Sequence, residues 1–307
     1  MAQQSDKNRP VFDHSATPNV GRMPAWIRQR LGGDTQYAAT ADAVHQHALN
    51  TVCEEARCPN RAECWSRGTA TFMLLGDTCT RACGFCAVKT GRPTWFDDGE
   101  PARLADAVSG MGLDYVVLTS VNRDDLADGG AAVFAATLRE LARRKPGIGL
   151  EILTPDFHGC QAQAVEAIDQ AIRAADTRLV WGHNVETVPA LYKTVRKGSD
   201  YRRSLDLLAR AARLPNVEAK SALMLGLGES RDEVVAVLRD LRAVGVRRVS
   251  LGQYLRPTRY HLPVKDYVTP AQFDAYHAEA RALGFAWVKA GALVRSSYHA
   301  EEQQAIV

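Results

Sequence analysis

Residues 70–88 read ATFMLLGDTCTRACGFCAV, an apolar run of strand length followed at once by three cysteines. A short apolar run that ends in turn residues, here Gly76 and Asp77, is typical of a buried strand. Cys79, Cys83 and Cys86 follow with the spacing C-x3-C-x2-C. The stretch therefore predicts a first strand with three thiols in the loop at its carboxyl end.

The chain beyond this stretch repeats one pattern, in which short apolar or β-branched runs alternate with longer amphipathic stretches. The further runs begin near residues 115, 149, 178, 217 and 247. The amphipathic stretches between them cover residues 101–111, 130–145, 160–174, 200–212 and 230–244. This alternation predicts a parallel sheet covered by helices. Six such units are two short of an eight-stranded barrel, so we expect an α/β fold of the partial (β/α)6 TIM type, open on one side.

Polar side chains cluster where the predicted strands end. In barrel folds this end of the strands carries the chemistry. The residues concerned are Thr119, Ser120, Asn122, Thr154, Asp156, His183, Asn184 and Glu186.

The barrel is expected to occupy residues 70–285, with additions at both ends. We expect residues 1–22, which are polar, to be a disordered tail, and residues 23–69 to form an N-terminal extension. In VTPAQFDAYHAEARALGF, Thr269 is the predicted N-cap of a helix that has Pro270 at its first position. Residues 286–307 are expected to form a separate C-terminal segment.

The composition excludes several classes of protein. The 307 residues are 46% hydrophobic, which argues against a disordered chain. With 38 basic and 35 acidic residues, the net charge of +3 does not indicate a nucleic-acid or membrane partner. The N-terminus lacks the features of a secretory signal, so we expect a cytoplasmic protein with reduced thiols. Seven cysteines, an odd number, argue against a disulfide framework.

Six of the seven cysteines form two groups of three. The first group lies in TVCEEARCPNRAECW and comprises Cys53, Cys58 and Cys64, and the second follows the first strand. A structural zinc ion normally takes four ligands, whereas three thiolates on a [4Fe–4S] cluster leave one iron open. Iron–sulfur clusters are therefore favoured, and a zinc site that uses all six cysteines is the alternative.

The motif C-x3-C-x2-C with Phe85 before its last cysteine resembles the radical S-adenosylmethionine superfamily. That resemblance implies a [4Fe–4S] cluster on Cys79, Cys83 and Cys86, whose open iron binds S-adenosylmethionine. The two cysteine motifs, with VVLTSVNRDDLADGG, EILTPDF, GQYLRPTRYHLPV and VRSSYHA, resemble the lipoyl synthases from about Trp26 to Ala300.

The lipoyl synthase resemblance implies a second, auxiliary [4Fe–4S] cluster. Its ligands would be Cys53, Cys58, Cys64 and Ser296, the first serine of RSSY. Serine oxygen is a poorer match than thiolate for a sulfide-bridged iron, so the iron on Ser296 should be released most easily. This agrees with the role that the family implies for the cluster, which is to donate sulfur. A polar C-terminal turn is the alternative for RSSY.

Further candidates for binding S-adenosylmethionine or substrate follow the predicted strands. They are Ser120, Asn122, Asp124, Glu151, His183 and Asn184. A carboxylate buried in the barrel needs a partner, and a ribose hydroxyl would serve Glu151. Strand-end capping and a structural histidine are the alternatives.

The implied activity is that of a sulfurtransferase, which inserts two sulfur atoms at C6 and C8 of a protein-bound octanoyl group. Unactivated C–H bonds offer no acidic proton, so a radical cofactor is required. The resemblance implies octanoylated lipoyl domains or H protein as substrates and a flavodoxin or ferredoxin as electron donor.

A basic stretch after the sixth predicted strand comprises Arg256, Arg259, His261 and Lys265. We expect it to meet the acidic carrier, and an ordinary solvated loop is the alternative. We also expect a monomer. The alternatives are another radical sulfur-inserting or methylthiolating enzyme and a non-catalytic zinc module. Four residues depart from the family pattern, none of them an expected cluster ligand: Ala222, Ser230, Ala290 and Ala292.

Overall fold

A computed structural model describes residues 23–27, 35–67, 70–95, 97–111, 113 and 115–302. The strands are β1 (Asn50–Thr51), β2 (Thr71–Leu74), β3 (Thr78–Cys79), β4 (Lys89–Thr90), β5 (Tyr115–Ser120), β6 (Gly149–Leu153), β7 (Leu179–Gly182), β8 (Val217–Leu225), β9 (Arg248–Gln253) and β10 (Trp287–Gly291). The helices are α1 (Thr35–Gln46), α2 (Val52–Glu55), α3 (Arg61–Ser66), α4 (Glu100–Met111), α5 (Ala131–Arg144), α6 (Gln161–Ala174), α7 (Tyr192–Val195), α8 (Tyr201–Ala212), α9 (Arg231–Ala243) and α10 (Pro270–Ala282). The expected tail over residues 1–22 lies outside the described residues.

Seven parallel strands form the main sheet in the order of the chain, β2-β5-β6-β7-β8-β9-β10. The short strand β1 pairs antiparallel with β2 at one edge. Among the pairings of the described residues, none joins β1 to β10, so the barrel is open. The six predicted strands and the partial barrel are confirmed. The structure adds β10, whose sequence WVKAG lacks a β-branched run, and the two-residue β1.

Two neighbouring helices, α9 and α10, begin at residues whose side chains cap them. Thr269 caps α10 with a hydrogen bond from the backbone of Gln272, and Pro270 occupies the first helical position, as expected. The neighbouring helix α9 begins with a capping box in which Ser230 and Glu233 satisfy each other's backbone N–H groups. None of the helices in the described part of the chain is long and apolar enough to span a membrane.

A layer of buried polar groups closes the amino-terminal end of the barrel. The Lys220 ammonium lies 2.7 Å from the Glu151 carboxylate, and both side chains are buried. Tyr115 donates a hydrogen bond of 3.0 Å to the same carboxylate, and Lys220 lies 5.0 Å from the centre of the Trp287 ring. Tyr115 and Trp287 are the first residues of their strands. Glu151 is thus engaged within the protein, at the end of the barrel away from the cysteine loop.

Replacing Lys220 by methionine is expected to lower the free energy of unfolding by about 3–5 kcal/mol, because it leaves a buried carboxylate without its cation. Chemical denaturation under anaerobic conditions measures the loss. The double variant Lys220→Met/Glu151→Gln should recover part of it, because no buried charge then remains on the pair. Equal losses in the single and double variants would contradict this account of the layer.

Candidate active site

The loop that carries Cys79, Cys83 and Cys86, here called the cysteine loop, is held by hydrogen bonds to distant parts of the chain. The Gly84 N–H donates to the Val195 carbonyl at 2.9 Å, and the Gly84 carbonyl accepts from Leu262 N–H at 3.0 Å. These contacts fix the loop between two segments that follow β7 and β9.

The thiols of this loop lie close enough to affect one another. Burial raises the pKa of Cys86 to about 12, and a charge on Cys83 acts in the same direction. Burial raises the pKa of Cys83 to about 11, although Arg196 acts to lower it. Cys79 Sγ accepts backbone hydrogen bonds from Arg81 at 3.4 Å and from Asn122 at 3.3 Å. Three thiolates this close together repel one another unless positive charge lies between them. Iron ions supply that charge, so the donor set fits an iron–sulfur cluster.

Arg81, within the cysteine loop, forms the centre of a buried ionic network. Its guanidinium lies 2.7 Å from carboxylate oxygens of both Asp124 and Asp156. Asp156 is fully buried and also accepts from Arg203 at 2.8 Å. Burial acts to raise the pKa of Asp156, but the hydrogen bonds and charge of Arg81 hold that pKa well below its ordinary value. The network ties the loop to the carboxyl ends of β5 and β6.

Three of the predicted ligand-binding residues present buried oxygen atoms to the space beside the strand ends. Ser120 Oγ, Asn122 Oδ1 and Asn184 Oδ1 have no hydrogen-bond partner among the residues that the structure describes. A buried polar atom without a partner is costly, and a polar ligand would satisfy it. These atoms therefore fit the binding of a polar molecule such as S-adenosylmethionine.

The other predicted ligand-binding residues are engaged by protein groups. Asp124 is paired with Arg81, and Glu151 with Lys220. The two ring nitrogens of His183 lie 2.9 Å from the Thr154 carbonyl and 3.0 Å from Ser204 Oγ. Burial lowers the pKa of His183 to about 4, so the ring is neutral near pH 7.

Glu186 and Arg196 are two charged residues near the cysteine loop. The sequence places Glu186 among the polar residues at the predicted strand ends without a specific role, and it gives no signal for Arg196. Glu186 accepts a hydrogen bond of 3.1 Å from Asn184, and its backbone is left-handed, with φ of 67°. Burial raises the pKa of Glu186, although Arg196 acts to lower it. Both residues affect the pKa of Cys83, so they lie around the thiols of the loop. A left-handed glutamate persists only where its surroundings hold it, and such strain is typical of functional sites.

Cys53, Cys58 and Cys64, here called the N-terminal trio, are carried by α2, the turn after it, and α3. Burial raises the pKa of Cys53 to about 11, and a charge on Cys58 acts in the same direction. Burial also raises the pKa of Cys64, with further contributions from Cys53 and Cys58. The three thiols thus form a second mutually interacting set.

The C-terminal segment folds back onto the N-terminal trio. Asn60, between Cys58 and Cys64, donates to the Leu293 carbonyl at 2.6 Å. Glu63 accepts from Tyr298 at 2.9 Å, and Thr71 donates to Ser297 Oγ at 2.9 Å.

Arg295 begins the RSSY motif. Burial lowers its pKa, whereas Cys58 and Glu186 act to raise it. Ser296 lies between Leu293, whose carbonyl accepts from Asn60, and Tyr298, which donates to Glu63. These contacts bring Ser296 to the segment that carries Cys58 and Cys64.

In the part of the chain that the structure describes, no three cysteine, histidine, aspartate or glutamate side chains are arranged around one metal ion. In an iron–sulfur cluster the thiolates bind different irons, so a trio that serves a cluster need not converge on a single point.

Comparisons with known proteins agree with this geometry. The model of the radical SAM superfamily matches residues 73–241. A lipoyl synthase from Methylococcus capsulatus is 54% identical over 93% of this chain and 88% of its own length. A lipoyl synthase from Rubrobacter xylanophilus is 52% identical over 91% of this chain and 86% of its own length.

Among solved structures, Streptococcus suis SuiB bound to its precursor peptide SuiA aligns with a TM-score of 0.55 at 13% identity. The alignment covers 83% of this chain and 52% of that one, and it supports the fold alone. The similarity to the two curated relatives extends over more than nine-tenths of the chain. This chain therefore belongs to the lipoyl synthase family of radical S-adenosylmethionine enzymes.

Proposed function

We propose that this chain inserts two sulfur atoms, at C6 and C8, into an octanoyl group carried by a lipoyl domain or H protein. The observation that supports this most directly is the set of hydrogen bonds that join Leu293 and Tyr298 to Asn60 and Glu63, two residues between Cys58 and Cys64, since these bonds bring Ser296 to the region of a second thiol set. When bound, one cluster with S-adenosylmethionine supplies a radical that removes hydrogen from carbon, and the other cluster supplies sulfur.

In this proposal the cysteine loop holds the radical cluster through Cys79, Cys83 and Cys86. The loop cannot shift easily, because Gly84 is hydrogen-bonded on both sides and Arg81 is paired with two carboxylates. The Cys79 sulfur is held in place by the backbone N–H groups of Arg81 and Asn122.

S-Adenosylmethionine is held at the carboxyl ends of the strands. Ser120, Asn122 and Asn184 offer it their unpartnered buried oxygens. Glu186 and Arg196 supply opposite charges to its amino and carboxylate groups, because both lie around the thiols of the loop. We do not place Glu151 or His183 in this site, because protein groups occupy their polar atoms.

The N-terminal trio and Ser296 hold the auxiliary cluster. A serine oxygen that binds iron gives up its proton, and the positive charge of Arg295, the preceding residue, favours the anionic oxygen that results. The octanoyl chain then lies between the two cysteine sets, in the space that Glu186 and Arg295 border. Cys53 is buried and the other five thiols of the two sets are half-buried, which limits the access of water to a reaction that proceeds through radicals.

The partners follow from the chemistry. We propose a low-potential flavodoxin or ferredoxin as electron donor, because iron–sulfur clusters reach reduction potentials as low as about −700 mV. We further propose a monomer that works in the cytoplasm, where thiols stay reduced.

Metal analysis of anaerobically purified protein tests the proposal. About eight irons per chain are expected, from two four-iron clusters, and about four should remain in the triple variant Cys53→Ala/Cys58→Ala/Cys64→Ala. Wild-type protein should convert an octanoylated peptide to its lipoyl form, while the triple variant should still cleave S-adenosylmethionine. A colourless protein with stoichiometric zinc, or a triple variant that retains eight irons, would overturn the assignment.

A further inference from the structure

A group of exposed cations surrounds the cysteine loop. Two segments contribute to it, residues 192–203 and residues 255–265, here called the basic rim. The first segment contains five basic residues and one acidic residue, and the second contains three basic residues and no acidic one. The chain as a whole is nearly balanced, with 38 basic and 35 acidic residues. Lys193, Arg259 and Lys265 are exposed, as is Tyr260 at 48%.

Both segments of the rim are attached to the same residue of the cysteine loop. Val195, in the first segment, accepts the hydrogen bond from Gly84 N–H, and Leu262, in the second, donates to the Gly84 carbonyl. Val195 and Leu262 also belong to one buried apolar cluster, against which Phe85 packs. The two segments therefore both pack against the peptide that joins Cys83 to Cys86.

The position of the rim favours an electron donor over the octanoylated carrier. The electron must reach the radical cluster, which the cysteine loop holds. Gly84, to which both rim segments are hydrogen-bonded, is covalently bonded to Cys83. A donor that docks on the rim would therefore be close to the cluster. The octanoyl chain has to reach the N-terminal trio as well as the cysteine loop. Leu293 and Tyr298, which are bonded to residues between Cys58 and Cys64, do not belong to the rim.

We propose that the basic rim is the docking surface for an acidic one-electron carrier protein of low potential. This inference rests on the proposed function. In the transfer, the donor is oxidised by one electron and the radical cluster is reduced by one. Charge complementarity raises the association rate and makes it depend on salt, with gains of about 10 to 10³-fold in steered complexes.

The test uses the full-length holoenzyme with flavodoxin, which is acidic, as the probe. The variant Lys193→Glu/Arg259→Glu/Lys265→Glu reverses three charges of the rim. Arg139→Glu/Arg178→Glu/Arg239→Glu is the matched control, because these exposed residues lie on α5, before β7 and on α9. Release of 5′-deoxyadenosine is measured with flavodoxin and, separately, with dithionite, which needs no docking surface. Calorimetric titration gives the Kd for oxidised flavodoxin.

The rim variant should lose at least about tenfold in the flavodoxin-driven rate at low salt and about tenfold in affinity. Its dithionite-driven rate should stay within about twofold of wild type, and the control variant should match wild type with both reductants. Added salt should slow the flavodoxin-driven rate of wild type and leave that of the rim variant nearly unchanged.

Three results would overturn the docking proposal. These are unchanged flavodoxin kinetics and affinity in the rim variant, an equal loss in the control variant, or an equal loss with dithionite. If the rim variant fails only with octanoylated carrier protein under dithionite, the rim docks the carrier instead, and the proposal is wrong. A wild-type enzyme that forms no 5′-deoxyadenosine with dithionite would contradict the proposed function itself.

Discussion

Replacing Ser296 by alanine is expected to lower sulfur insertion on the order of 100-fold while changing S-adenosylmethionine cleavage by less than about threefold. Loss of even an indirect contact to a metal ligand typically costs about 10–100-fold in activity or metal affinity, and a direct ligand should cost at least as much. Cleavage should be spared, because the cysteine loop is held by Gly84 and Arg81 and not by the C-terminal segment.

The measurements are lipoyl product and 5′-deoxyadenosine from the same reactions, together with iron content. Ser297→Ala is the matched control, because Ser297 Oγ bonds to Thr71 and removal of its hydroxyl perturbs the same segment. Ser296→Cys restores a ligand and should retain the iron, but it should release sulfur more slowly because thiolate binds this iron more firmly. An equal loss of cleavage and insertion in Ser296→Ala would show that Ser296 supports the fold and is not a ligand.

The strands and helices of the barrel could be predicted because the residues of each element carry the pattern that determines it. A buried parallel strand is an apolar run, and an amphipathic helix repeats its apolar residues every three to four positions. The strand β10 was missed because WVKAG has little of this character and is stabilised by pairing with β9. Its neighbour across the sheet, and not its own residues, determines its conformation.

The sequence predicts those parts of the candidate site that depend on residue type and spacing. It does not predict the contacts between residues that are distant in the chain. Two groups of three thiols favour iron–sulfur clusters over a four-ligand zinc site from their number and spacing alone. The partner of Glu151 was missed because Lys220 is 69 positions away in the chain, and burial of the carboxylate alone cannot distinguish a lysine from a ribose hydroxyl. Arg196 and Arg295 were missed for the same reason, since only the folded chain brings them to Cys83 and Cys58.

Replacing Arg81 by methionine is expected to lower the free energy of unfolding by about 3–5 kcal/mol, because it leaves Asp156 buried with one cation fewer. The same change should release the iron of the cysteine loop and take the iron content from about eight to about four per chain. Anaerobic denaturation and iron analysis after gel filtration measure the two effects. Arg81→Lys keeps the charge but not the paired hydrogen bonds, so it should lose less stability.

The loss of stability in Arg81→Met should depend on pH in a definite direction. In the wild-type protein the folded-state pKa of Asp156 lies below its unfolded value, so its stabilising contribution is present above roughly pH 4 and is lost only in stronger acid. In the variant that pKa rises, and protonation then relieves the unpaired charge. The difference in stability between the two proteins should therefore be largest at neutral pH and shrink as the pH falls through the pKa that Asp156 has in the variant.

Arg203→Met is the control, because it removes the more exposed partner of Asp156 and Arg203 lies outside the cysteine loop. This variant should lose less stability than Arg81→Met and keep all its iron. Iron loss in Arg203→Met as large as in Arg81→Met would mean that Asp156, and not the anchoring of the loop by Arg81, governs retention of the cluster.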